Sequence, residues 1–170
     1  MFPVTMRILD LTLPTPAENL ALEEALLKWS EESETECLRL WESAQYFVVL
    51  GAGSPVQSDV NVELCRAEGI PILRRCSGGG TVLQGPGCLN YTLVLDRLAR
   101  PELESINGSN QYILTKIGDA IREAADPSNP VAPAETPLPE IRGISDLTID
   151  NLKFSGNAQR RRKRFILFHG

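Results

Sequence analysis

The segment Arg74-Arg75-Cys76-Ser77-Gly78-Gly79-Gly80-Thr81-Val82 constrains this chain more than any other. Three consecutive glycines allow backbone angles closed to other residues and bring bare N–H groups close to a ligand. The two arginines upstream supply rigid, forked donors suited to carboxylate or phosphate. The β-type run Thr81-Val82-Leu83 makes this a loop between strands, held rigidly, with an anion as its expected ligand. The plainer alternative is a solvated turn with incidental arginines. Two familiar phosphate devices are excluded. There is no Gly-Lys-Ser/Thr in the chain, and Leu83 stands where a dinucleotide fingerprint needs its third glycine.

A length of 170 residues fits one domain with a real core. Hydrophobic residues at 42% and charged residues at 23% are those of a globular protein. The net charge of −5 disfavours broad binding to nucleic acid or an anionic membrane. Cys37, Cys65, Cys76 and Cys88 show no Cys-x-x-Cys spacing and His169 is the single histidine, so no metal site is expected. Arg7 and Asp10 interrupt the first residues, which therefore do not read as a signal peptide, and no apolar run approaches the ~20 residues of a membrane span. These features set the expectation of a cytoplasmic protein with free thiols.

Along the chain, Thr15-Pro16-Ala17-Glu18 reads as a capped helix start, with Leu22, Ala25, Leu26 and Trp29 as its buried stripe. Strands are expected at 37–41 and 46–50. Asp59 is expected to cap a short helix running to Glu68 and ending at Gly69. A strand at 70–73 leads into the glycine loop, and an interior strand covers 89–95. A second helix begins between Ser105 and Asn110. The stretch from Asp126 to Pro139 contains five prolines and is read as an irregular excursion. Strands at 145–149 and 152–154 flank an Asp150-Asn151 turn, and Phe165-Ile166-Leu167-Phe168 reads as a buried strand. The chain stops directly after it, which reads as a domain truncated at its C-terminus.

Lys153-Phe154-Ser155-Gly156-Asn157-Ala158-Gln159 is the second segment with chemical content: a lysine on a strand edge, followed by small residues that let a ligand approach. Alone the signal is weak and reads as an ordinary surface lysine followed by a turn. Together with the glycine loop, with Glu18 to Leu27, with Asp146 in Ile144-Ser145-Asp146-Leu147 and with the closing Phe168-His169-Gly170, it resembles the lipoate–protein ligase and octanoyltransferase family.

The resemblance implies an α/β (α+β) fold of the biotin–protein ligase and class II aminoacyl-tRNA synthetase kind. That fold is a mixed, mainly antiparallel sheet flanked by helices, here one catalytic domain over residues 1–170. It implies that Lys153 is catalytic, contacting both the acyl carboxyl and the phosphate. It further implies that Arg75, Ser77, Gly78, Gly79, Gly80, Thr81, Val82 and Leu83 line the acyl-adenylate site. Asp146, Ser155, Gly156 and Ala158 would lie nearby, and His169 at the pocket edge. The implied substrates are lipoate (or octanoate) and ATP with Mg²⁺. The implied partners are lipoyl domains of 2-oxoacid dehydrogenase complexes or the glycine cleavage carrier protein.

The chain also departs from that pattern. Gln84-Gly85-Pro86-Gly87 replaces the ligases' His-Asp and is similar to octanoyltransferases, and Ala52 and Ser54 replace a usual Arg and Gln. Octanoyltransferases use a cysteine after the lysine motif, and no cysteine follows Lys153 here. Cys76 and Cys88 match no such position and are read as structural thiols. An octanoyltransferase and a catalytically silent acyl- or nucleotide-binding module are therefore the alternatives. The run Arg160 to Arg164 is read as a hairpin turn or solvated edge, with attraction of an acidic acceptor or of ATP phosphates as the sharper option.

Overall fold

The computed structural model describes residues 6–125 and 138–170. In chain order, β1 (Met6–Asp10) precedes α1 (Pro16–Ser33), β2 (Glu36–Glu42) and β3 (Phe47–Leu50). Two short helices, α2 (Val56–Asp59) and α3 (Val62–Ala67), lead to β4 (Ile72–Arg74), β5 (Val82–Gln84) and β6 (Leu89–Asp96). After a 3₁₀ turn come α4 (Ile106–Ala124), β7 (Glu140–Arg142), β8 (Asp146–Ile149) and β9 (Leu152–Gly156). The chain closes with β10 (Ala158–Arg161) and β11 (Phe165–His169).

The described residues form two compact units, one up to Asp96 together with Ala158–Gly170, the other Arg97–Asn157. The first holds a five-stranded sheet, β1-β2-β6-β11-β10, and a three-stranded sheet, β4-β3-β5. The β1–β2 and β3–β4 pairs are parallel, and the other ladders of both sheets are antiparallel. The second unit carries the antiparallel meander β7-β8-β9 and α4. This is the mixed, mainly antiparallel architecture with helices that the resemblance implies.

In the five-stranded sheet, Phe165 to Phe168 read as an unbroken apolar run because β11 lies between two strands with both faces covered, and all four are 0% exposed. Cys37, Val94 and Leu167 are register partners across β2, β6 and β11. Leu26 and Leu27 of α1 pack on that row together with Phe165. A buried leucine contributes about 1.5–3 kcal/mol. Trp41, Phe47 and Val49 form a second cluster that joins β2 to β3.

The capping box of α1 is complete: Thr15 Oγ1 accepts from the Glu18 N–H, and Glu18 accepts from the Thr15 N–H. Its buried stripe differs from the expected one. Asn19, Glu23, Leu26, Leu27 and Ser30 face inward, whereas Ala25 is exposed and Leu22 and Trp29 are half-buried. Trp29 lies beneath the Arg7 guanidinium of β1, 5.4 Å from its centroid. Apolar periodicity could not locate this face, because three of its five residues are polar.

A second correction concerns Asp59, which does not cap the helix ending near Glu68. Asn61 accepts from the Leu64 N–H and caps α3, while Asp59 closes α2 and turns its carboxylate to Thr81. Residues 126–137 of the proline-rich excursion lie outside the described residues. Three strands escape the sequence reading, namely β1, β7 and the first strand of the closing hairpin, β10.

Candidate active site

The glycine loop joins β4 to β5 and is braced from below by the turn after β3. Gly51 lies so close that a Cβ there would fall 2.0 Å from the Gly79 carbonyl oxygen. The Ala52 N–H donates to Ser77 O at 2.8 Å, and Ser54 Oγ donates to Gly79 O at 3.2 Å. Arg74 Nη1 in turn donates to the carbonyls of Gly51 and Ser54 at 2.6 and 2.9 Å. Ala52 and Ser54, the two departures from the family pattern, thus support the loop directly.

Arg75 shapes the loop from within. Its Nη2 donates to Gly78 O and Gly80 O at 2.7 and 2.9 Å, and its Nε donates to Ser77 Oγ at 3.0 Å. Burial lowers the guanidinium from its ordinary value, opposed by the charges of Glu23 and Cys76. Only Gly79 adopts a positive φ, 94°. Gly78 and Gly80 are exposed, and a Cβ on either would meet open space, so the chain's own packing does not require glycine there. Among the described residues, the N–H groups of these three glycines meet no protein acceptor. Thr81 Oγ1 donates to Asp59 Oδ2 at 2.6 Å, and that bond, followed by one from Ser58, holds the Asp59 carboxyl below its usual range. Val82 and Leu83 on β5 are exposed.

His169 is buried. Its Nδ1 lies 2.6 Å from Glu23 Oε2, and its Nε2 lies 2.6 Å from Ser77 Oγ. Glu23 Oε1 also accepts from Thr92 Oγ1 and Trp41 Nε1 at 2.7 and 3.1 Å. Burial pushes the Glu23 carboxyl up, but His169 and these hydrogen bonds outweigh it and hold the group below the usual carboxylate range. An ionised Glu23 has only acceptors to offer, so Nδ1 carries a hydrogen. Ser77 Oγ, which accepts from Arg75 Nε, completes the link to Nε2. Ala158 pairs with His169 at the start of β10 and lies beside Gly79.

Asp146, Lys153, Ser155 and Gly156 belong to the second unit. A β-bulge between Leu147 and Thr148 pairs Thr148 with Lys153, Leu147 with Ser155 and Asp146 with Gly156. Phe154 is the extra residue, so Lys153 and Gly156, three apart, share one face. The lysine crosses the bare Gly156, where a Cβ would be 3.1 Å from its Cε, and Nζ reaches Asp146 Oδ1 at 2.9 Å. The Lys153 side chain is 54% exposed. Ser155 Oγ turns to Asn157.

The structure thus gathers Arg75, Ser77, Gly78, Gly79, Gly80, Thr81, Ala158 and His169 around one loop, and Asp146, Lys153 and Gly156 on one bulged hairpin. Glu23 is the residue that sequence reasoning missed. It stood in the quoted α1 segment, and the available signal was an acid at helical spacing from Leu26, Leu27 and Ser30, inside the buried stripe.

All four cysteines are free, with Cys37 and Cys65 buried. Burial, followed by Glu24 and Glu23, pushes the half-buried Cys76 thiol up, which disfavours its thiolate. Gly85 sits beneath the Tyr46 ring, where a Cβ would be 2.3 Å from a ring carbon, so the fold itself accounts for that glycine of the Gly-Pro-Gly turn. No helix among the described residues is long and apolar enough to cross a membrane.

A family model described as the lipoyl protein ligase A/B catalytic domain matches residues 15–170. A protein of Aeropyrum pernix named for lipoate-protein ligase A is 43% identical over 90 residues, 53% of this chain and 34% of its own length. The octanoyltransferase LipM of an Exiguobacterium species is 26% identical over 183 residues, covering all of this chain and 66% of that protein. The chain therefore spans about a third and two thirds of these relatives' lengths. A lipoate-protein ligase A bound with ATP shares the fold at a TM-score of 0.71 and 22% identity, over 98% of this chain and 65% of that one. A bi-partite lipoate protein ligase from Thermoplasma acidophilum, studied with its E2 lipoyl domain, aligns at 0.69 and 20% identity, over 98% and 60%.

Proposed function

The chain belongs to the lipoyl protein ligase A/B catalytic-domain family, and from that membership we propose that it activates lipoate or octanoate with ATP and transfers the acyl group to a lysine of a lipoyl domain. The observation that carries this reading is the glycine loop. Gly78 and Gly80 are glycine without a steric need in the fold, and among the described residues the N–H groups of Gly78, Gly79 and Gly80 meet no protein acceptor. Such a surface accepts the oxygens of a phosphate, and each charge-assisted bond there is worth about 1.5–3 kcal/mol.

In the first step the acyl carboxylate attacks the α-phosphate of ATP, and diphosphate leaves. Both reactants are negative. Lys153, whose ammonium needs only to exchange its half-exposed partner Asp146 for substrate oxygens, offsets that repulsion and stabilises charge on the transferring phosphoryl group. Mg²⁺ enters as the counter-ion of ATP. In the second step a lysine amine of the acceptor attacks the mixed anhydride, the amide forms, and AMP leaves. The exposed Val82 and Leu83 offer apolar surface to the acyl chain.

The similarity to an octanoyltransferase supports a second reading, transfer from a preformed octanoyl thioester without ATP. One assay separates the two. An apo lipoyl domain is incubated with the chain, lipoate and Mg²⁺-ATP, and in parallel with the chain and octanoyl carrier protein alone. The intact mass of the domain is then read. A gain that needs ATP and falls at least about a hundredfold in Lys153→Ala supports the ligase. A gain from the octanoyl carrier alone supports the transferase. A folded chain giving no gain in either tube overturns both.

A further inference from the structure

We infer that Glu23, His169 and Ser77 are positioning residues that set the glycine loop, acting through Arg75. The ordering of the loop rests on geometry alone; its consequence for ligand binding rests on the reading proposed above.

A relay of hydrogen bonds runs from α1 to the loop. Trp41 and Thr92 fix one oxygen of the Glu23 carboxylate and leave the other for His169 Nδ1–H. The imidazole is thereby fixed in its ring plane, with Nε2 aimed at Ser77 Oγ. The serine oxygen, so oriented, presents its lone pairs to Arg75 Nε–H. Arg75 Nη2 then draws the Gly78 and Gly80 carbonyls toward itself. The C=O and N–H of a trans peptide point in opposite directions. Holding those two carbonyls inward therefore turns the N–H groups of Gly79 and Thr81 away from the guanidinium. A carboxylate on α1 thus determines where loop N–H groups point.

This polar assembly is buried beside apolar side chains of the sheet. Glu23 is 3% and Ser77 0% exposed, and β11 is otherwise filled with wholly buried apolar side chains. Of the partners of Glu23, Thr92 and Trp41 end on the sheet. His169 alone continues the relay, and it leads to the loop.

The test uses the full chain and nuclear magnetic resonance relaxation. Variants Ser77→Ala, His169→Gln and Glu23→Gln are compared with wild type by the order parameters of the Gly78, Gly79 and Gly80 amides and by the side-chain Nε–H resonance of Arg75. Affinity for a non-hydrolysable octanoyl-adenylate analogue is measured in parallel. In folded Ser77→Ala, loop order parameters are expected to fall from about 0.85 to below about 0.6, and the Arg75 Nε–H signal to move to a solvent-exchanging position. Analogue affinity is expected to drop about tenfold, the worth of one hydrogen bond. The β6 and β11 amides keep wild-type order.

A folded Ser77→Ala whose loop keeps wild-type order overturns the inference. The other two variants are read in the same way should Ser77→Ala fail to fold, and failure of all three to fold reassigns the relay to stability alone and also overturns it. A wild-type chain that does not bind the analogue counts against the proposed function, while the loop order parameters still decide the relay.

Discussion

Two glycines of this chain are glycine for opposite reasons, and substitution separates them. Gly51 has no room: its added methyl would meet the Gly79 carbonyl oxygen at 2.0 Å, and the loop above it is held by Ser54 and Ala52 and cannot retreat freely. Gly51→Ala is expected to cost about 3 kcal/mol in urea denaturation, the scale of overpacking against backbone. Gly80 has room and an ordinary φ. Gly80→Ala should lie within about 0.5 kcal/mol of wild type in the same experiment. Its rate of acyl transfer should nonetheless fall at least about tenfold, because a methyl placed against bound phosphate displaces the reacting atoms. Equal loss of stability in both variants would remove the argument that Gly80 is kept bare for a ligand.

At the level of elements, α1 docks on the sheet through a charge as well as through leucines. The ordinary pKa of Glu23 is 4.5, and in the folded chain it lies lower, so the folded state binds this proton less tightly than the unfolded state. The stability contributed by Glu23 is therefore full above 4.5 and is lost as the pH falls through the lower folded value. Stability measured by urea denaturation should decline on acidification below pH 4.5 more steeply in wild type than in Glu23→Gln, whose amide does not titrate. Truncation to alanine, which strands His169, Thr92 and Trp41 as well, should cost about 3 kcal/mol. Identical pH profiles for wild type and Glu23→Gln would contradict an ionised Glu23. This same feature explains what was legible. Caps and turns are local chemistry, so Thr15 with Glu18 and the Asp150-Asn151 turn, whose residues take φ of 49° and 64°, could be read directly. The buried face of α1 depends on a partner from the far end of the chain and could not. The strands missed, β1, β7 and β10, are all edges of their sheets. β10 reads Ala-Gln-Arg-Arg and is the edge of its sheet, where charged side chains discourage pairing with another chain. The basic run thus falls on a solvated edge and its hairpin turn, with Arg164 paired to Glu34 and Asp96.

For the whole molecule, the first unit is built from both ends of the sequence, and an interior strand of its five-stranded sheet arrives last. β11 pairs with β6 on one side and β10 on the other, after all of Arg97–Asn157 has intervened. Glu31 of α1 accepts from the N–H groups of Arg164 and Phe165 and sets the point at which this strand enters the sheet. Phe165, Ile166, Leu167 and Phe168 are all 0% exposed, and at about 1.5–3 kcal/mol each their burial supplies roughly 6–12 kcal/mol. That equals the whole net stability of an ordinary domain, about 5–15 kcal/mol. Deleting residues 162–170 removes this burial, opens β6 as a bare edge and takes away His169, which carries the hydrogen-bonded link from Glu23 to the glycine loop. The shortened chain is expected to lose cooperative unfolding of the first unit, read as the disappearance of its transition in circular dichroism and of dispersed β2 and β6 amide resonances. A cooperative transition at the wild-type urea midpoint would show that the sheet closes without β11 and that the burial counted here is not what holds it.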